Sequence, residues 1–230
     1  MSPQIIINNS HKTALLIGAS GLVGGFCLSQ LLESPHYDKV KIFVRKSVQH
    51  YHIKLEQYVI DFDNLLNYKH LLVGDDLFCC LGTTMKIAGS KEAYFKVDYS
   101  YTLNVAKIAV TNGTKQVMLV SSVGADSSSI FFYNKVKGHL EDELRKLPFW
   151  AVHIFQPSVL LGERTNSRWG EQLAGKIIQK IDGFTGDLMS KYRPVEAESV
   201  AKAMINAAQG LQAGVAIYPS NWLQKMSNTI

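Results

Sequence analysis

Apolar residues along this chain fall into short, nearly unbroken runs: "TALLIG" (13–18), "KVKIFVR" (39–45), "EQYVID" (56–61), "DLFCCLG" (76–82), "QVMLVSS" (116–122), "WAVHIFQ" (150–156) and "GVAIYP" (214–219). Runs of this length without polar alternation are expected of β-strands covered on both faces. Between them lie segments of helical character at 22–33, 91–111, 131–146, 170–181 and 195–209. Strand–helix alternation implies right-handed crossovers, hence an α/β fold with a doubly wound parallel sheet of about seven strands and helices on both faces. No repeat or linker divides the chain, so residues 1–230 read as one domain. Only 162–194, rich in Gly, Arg and Ser, breaks the rhythm. It reads as a small insertion over the C-terminal edge of the sheet, on the side where a substrate would enter.

Composition narrows the class. The chain has 230 residues, 47% hydrophobic and 19% charged, as in ordinary globular proteins. No apolar run reaches the ~18 residues needed to span a membrane. The opening "MSPQIIINNSHK" lacks the basic start and long apolar region of a secretory signal, so a cytoplasmic protein is expected. Cys27, Cys79 and Cys80 are too few for a disulfide framework, and the adjacent pair reads as buried small hydrophobes. The net charge of +5 is spread without a block of like charges. That argues against nucleic acid or a membrane as partner and suits a pocket for an anionic cofactor. The histidines show no metal-ligand spacing; "HYH" at 50–52 has no cysteine or carboxylate cluster beside it, and no metal is expected.

The first strand runs straight into "GASGLVGG", with Gly18, Gly21 and Gly24 before a helix. Glycines there allow a tight turn and a close backbone approach to a pyrophosphate, which the helix N-terminus stabilises. Strand, loop and helix agree with a Rossmann-type dinucleotide site, with Ser20, Leu22 and Val23 completing the loop. An acid should end the second strand if the adenosine ribose carries a free 2′-hydroxyl. "FVRKS" supplies Arg45 and Lys46 instead, which suit a 2′-phosphate and favour NADP(H) over NAD(H). After the third strand, Asp61 and Phe62 stand where adenine would lie.

Downstream, "MLVSSVGADSSSIFFYNKVKG" ends a strand in Ser121 and Ser122 and opens a helix with Tyr133 and Lys137. Residues four apart share a helix face, so Tyr133 can meet Lys137 but not Lys135. Strand end and helix start reach the same edge of such a sheet as the cofactor loop. With the "GASGLVG" loop, these residues resemble the short-chain dehydrogenase/reductase superfamily. The strings "FCCLGTT" (78–84), "VDYSYTLNVAKIA" (97–109), "SSVGADSSSIFFYNKVKG" (121–138) and "FQPSVLLGER" (155–164) look like its atypical branch, the Tat-interacting oxidoreductase family.

The resemblance implies that Tyr133 is the general acid that protonates a carbonyl oxygen during hydride transfer from NADPH. Lys137 would favour the phenolate through its charge and bind the nicotinamide ribose. Ser122 would hold the substrate carbonyl, as the later serine of the pair, and Asn104 or Asp98 would anchor the relay or ribose. Cys80, Leu81, Gly82 and Pro157 would line the cofactor. Gln156 departs from the arginine that relatives often carry there.

The implied activity is NADP(H)-dependent oxidoreduction of an unknown small carbonyl or alcohol. The alternative is an NADP(H)-binding redox-sensing or regulatory protein with little turnover. A semialdehyde dehydrogenase would share the glycine loop but needs a larger second domain with its cysteine nucleophile. Arg164, Arg168 and Trp169 are candidates for a substrate lid, and the helices at 91–111 and 131–146 are the surfaces a homodimer would pair.

Overall fold

The computed structural model describes residues 9–162 and 192–227. The chain opens with β1 (Lys12–Ile17), α1 (Leu22–Glu33), β2 (Tyr37–Val44) and β3 (Leu55–Val59). A 3₁₀ segment (Phe62–Leu71), β4 (Asp76–Cys79), α2 (Met85–Ala88) and α3 (Lys91–Phe95) follow. A π-turn (Lys96–Tyr101) joins α3 to α4 (Thr102–Thr111), ahead of β5 (Gln116–Val120), α5 (Phe132–Lys146), β6 (Ala151–Gln156) and β7 (Leu160–Leu161). After the undescribed stretch come β8 (Val195–Glu196), α6 (Ala197–Gln209), β9 (Gly214–Pro219) and α7 (Ser220–Ser227). The main sheet has seven strands in the order β3-β2-β1-β4-β5-β6-β9, and β7 pairs with β8 separately. Every pairing in the main sheet is parallel.

Successive side chains of a strand point to opposite faces, and here both faces are core. Ala14 and Leu16 of β1 pack with α1 (Leu28, Leu31) and α6 (Val200, Met204). Leu15 and Ile17 pack on the other face with Leu65, with α4 (Leu103, Ala106) and with α5 (Leu140, Leu144). Double burial is why the strands read as continuous apolar runs.

The seven anticipated strands are all present, with shifted ends. β4 stops at Cys79 and β5 at Val120, short of the ends of their apolar runs, where the chain turns into the site loops. At the opposite end, β1 begins one residue early with Lys12, which is 1% exposed. Its ammonium pairs with Asp76 at 3.0 Å and donates to the Ala208 carbonyl at 3.2 Å. Asp76 also accepts from the Tyr37 hydroxyl at 2.6 Å and from Gln116 at 2.9 Å. These four residues open β1, β4, β2 and β5, so one buried polar knot ties the N-terminal ends of neighbouring strands.

The 91–111 helix contains a π-turn, and residues 195–196, expected as helix, pair as β8 before α6 begins. The 3₁₀ segment, α2, the β7–β8 pair and α7 are too short or too irregular for a periodic signal. The expected helix at 170–181, most of the 162–194 insertion, and Arg164, Arg168 and Trp169 lie outside the described residues. No helix among the described residues is long and apolar enough to cross a membrane.

At the β9 edge, the Tyr218 ring stacks on Phe155 at 4.6 Å and lies 5.8 Å from the ring of His153. His153 is fully buried, with Nδ1 2.9 Å from the Tyr218 hydroxyl and Nε2 without a partner among the described residues. Burial lowers its pKa to about 4. Between the unfolded value, near 6.5, and about 4, the unfolded chain binds a proton that the folded chain refuses. Stability therefore falls as pH drops through that window, by up to about 3 kcal/mol. Chemical denaturation from pH 7 to 4 should reveal this slope, and His153→Gln should flatten it.

Candidate functional site

The order of the sheet reverses direction between β1 and β4, and open α/β sheets bind ligands at such a switch point, outside the strands' C-terminal ends. The glycine loop sits there. Gly18 has φ +85, and a Cβ on it would lie 2.4 Å from the Cys80 carbonyl; a Cβ on Gly24 would lie 2.0 Å from the Gly18 oxygen. The Gly21 amide donates to Gly18 at 2.9 Å, closing the turn. Gly21 caps α1 without a side-chain bond, and no acid stands in the first turn. No carboxylate of the helix's own first turn competes for the backbone amides, so loop and helix fit a dinucleotide's pyrophosphate. Ser20 is exposed and Leu22 half-buried, while Val23 is buried in the core beneath the helix.

Arg45 and Lys46 follow the end of β2 and are both exposed, with no acid at that tip. Asp61 accepts from the Asp63 amide at 2.9 Å and from Asn64 at 2.6 Å, capping the 3₁₀ segment. Phe62 turns inward: it is 5% exposed and packs 5.3 Å from the ring of Tyr101, so it does not offer an open shelf. The Cys80 amide donates to Ile17 at 2.9 Å; Leu81 is half-buried and Gly82 exposed beyond it.

Lys137 is buried on α5, and its ammonium lies 2.9 Å from Asp98 in the π-turn. No hydrogen bond joins it to Tyr133 among the described residues. Burial by itself lowers the Lys137 pKa; the Asp98 carboxylate outweighs it, aided by Tyr133, and the net shift is upward. Asp98 is 1% exposed and accepts also from the Thr83 amide at 2.8 Å and the Tyr94 hydroxyl at 3.3 Å. Burial first, then Asp98, pushes the Tyr94 phenol far up. Tyr133, 43% exposed, faces this cluster from the first turn of α5, its ring 6.0 Å from that of Tyr94. Asn104 is exposed on α4 and takes no part in this cluster.

The serine pair divides. Ser121 donates to Glu141 at 2.5 Å, whereas the Ser122 hydroxyl is buried with no partner among the described residues. Pro157 accepts from the Val123 amide at 2.9 Å, which extends the β5–β6 pairing past both strands.

No family model matches the chain. Protein HTATIP2 of Rattus norvegicus is 36% identical over 200 residues, covering 85% of this chain and 81% of that protein. FMP52 of Candida albicans is 32% identical over 230 residues, covering 95% of this chain and 99% of its own length. The chain belongs to the HTATIP2/FMP52 family.

The fungal members are named mitochondrial, which corrects the cytoplasmic expectation. The expectation rested on the lack of a secretory signal's basic start and apolar region, whereas mitochondrial sorting is read from amphipathic, basic segments. Among solved structures, ADP-L-glycero-D-manno-heptose-6-epimerase of Helicobacter pylori aligns with TM-score 0.68 at 17% identity, covering 98% of this chain and 84% of that one. WbmH of Bordetella bronchiseptica, solved with NAD+, aligns with TM-score 0.66 at 14% identity over 91% of this chain and 75% of that one. At these identities the likeness is one of fold, the NAD(P)-binding Rossmann type.

Sequence reasoning about the candidate site missed Tyr94 and Thr83, which hold Asp98. The only signal was Tyr94 four positions before Asp98 in a helical stretch. Asp98→Asn leaves the Lys137 ammonium buried without its counter-charge, at a cost of about 3–5 kcal/mol. Burial then dominates and lowers the Lys137 pKa, so the unfolded chain binds the extra proton and the deficit shrinks as pH rises. Urea unfolding of both proteins at pH 7 and pH 9.5 reads both effects.

Proposed function

We propose that this chain is an NADP(H)-dependent oxidoreductase that transfers hydride between NADPH and a carbonyl or alcohol of a small molecule. The observation that carries the reading is the grouping at one sheet edge of exposed Tyr133, the buried Lys137–Asp98 pair and the Ser122 hydroxyl, which has no partner among the described residues. Bound NADPH supplies the hydride. Ser122 donates to the substrate's carbonyl oxygen and turns its carbon toward the nicotinamide. Tyr133 donates its phenolic proton to the same oxygen as it gains negative charge. The Lys137 ammonium favours the phenolate left behind, and Asp98 keeps that ammonium charged and in place.

Arg45 and Lys46 hold the 2′-phosphate through charge-assisted hydrogen bonds. The chain is one dinucleotide-binding domain with 162–194 as its substrate-side insertion. A mitochondrial compartment, as in the names of the fungal relatives, belongs to the same reading, as does a homodimer through α3–α4 and α5.

Tyr133→Phe should lower NADPH-dependent turnover of aldehydes and ketones by about 10²–10⁴-fold and leave NADPH binding intact. Equal turnover in the two proteins removes Tyr133 from the chemistry. Binding without turnover in the wild type is the result expected of a redox-sensing protein. The Arg45→Ala/Lys46→Ala double variant should weaken NADPH by about tenfold or more relative to NADH, read by nucleotide fluorescence titration.

A further inference from the structure

Three elements that carry the candidate site converge on one buried carboxylate. Glu141 lies one helical turn beyond Lys137 on α5 and is 2% exposed. Its Oε1 accepts from Ser121 at 2.5 Å, and Gln156 Nε2 reaches Oε1 and Oε2 at 3.0 and 3.1 Å. Arg145 donates to Oε2 at 2.9 Å. Ser121 directly precedes Ser122 at the end of β5, and Gln156 directly precedes Pro157 at the end of β6. The backbone carries the tie further, with the Ser121 amide donating to Phe155 at 2.7 Å and the Val123 amide to Pro157 at 2.9 Å.

A buried carboxylate is a poor choice for stability alone, since apolar side chains fill such a site without desolvating a charge. Burial raises the Glu141 pKa despite the bonds from Ser121 and Gln156. Two of the donors instead come from strand ends, Ser121 just past β5 and Gln156 at the last residue of β6, so they specify how two strand ends meet a helix. We propose that Glu141 is a positioning residue, which sets Ser122 and Pro157 against Tyr133 and Lys137 and so shapes the nicotinamide end of the site. The inference rests on the dinucleotide reading above.

The test compares NADPH with ADP-ribose 2′-phosphate, a fragment lacking nicotinamide, by titration of both and by the emission of bound NADPH. No substrate is required. Glu141→Gln keeps an acceptor for Ser121 but turns an amide NH₂ toward that of Gln156. It should weaken NADPH by about tenfold, leave the fragment within about twofold, and shift the bound emission toward that of free NADPH. The double swap Glu141→Gln/Gln156→Glu restores an amide–carboxylate pair in reversed order and should recover most of the loss. If Glu141→Gln does not fold, Gln156→Leu, which removes one donor and no charge, is read in the same way.

Equal weakening of both ligands, a swap no better than the single variant, or unchanged NADPH binding and emission would overturn the inference. So would wild-type protein that holds NADPH no more tightly than the fragment. Wild-type protein that binds neither ligand fails at an earlier point, overturning the proposed cofactor and this inference with it.

Discussion

A parallel sheet must be covered on both faces, and here that requirement organises everything else. Helices α1 and α6 lie against one face, and the 3₁₀ segment, α4 and α5 against the other. With both faces occupied, chemistry is left to the ends of the strands. Parallel connections bring every strand's C-terminus to the same end, so residues far apart in sequence reach one edge without any special contact between them. Gly18 after β1, Cys80 after β4, Ser122 after β5 and Pro157 after β6 are neighbours for that reason.

The two ends of the sheet treat buried charge differently. At the N-terminal end, Lys12 and Asp76 are both buried, and the side chains that Asp76 accepts from are the first residues of β1, β2 and β5. That arrangement joins strands and leaves no group facing outward. At the C-terminal end, Asp98 takes the Lys137 ammonium, the Thr83 amide and the Tyr94 hydroxyl, while Tyr133 stands half-exposed beside them. Both pairs cost desolvation. Only the second places a phenol next to a fixed cation at an opening.

Much of the fold was legible because its signals are local. Double burial makes strands read as unbroken apolar runs, and all seven such runs became strands of the main sheet. Tyr133 and Lys137 share a helix face by spacing alone. What spacing could not tell was the partner Lys137 would take: the phenol four residues away or a carboxylate from another element. Asp98 reaches it from a π-turn inside what reads as one continuous helix, and π-turns have no propensity signature. Phe62 was similarly opaque, since an aromatic residue after a strand can cover a ligand or fill the core, and it fills the core.

By itself the sequence determined the class of fold, the glycine turn after the first strand and the shared helix face of Tyr133 and Lys137, because periodicity, glycine placement and residue type act over a few neighbouring positions. Tertiary structure alone decided which of the candidate residues are engaged. Ser121 and Ser122 are the same residue type side by side, yet one is engaged by Glu141 from a helix twenty residues on and the other has no partner among the described residues. Hydrogen-bond partners of buried groups are assigned by packing between distant elements, and no local pattern carries that information.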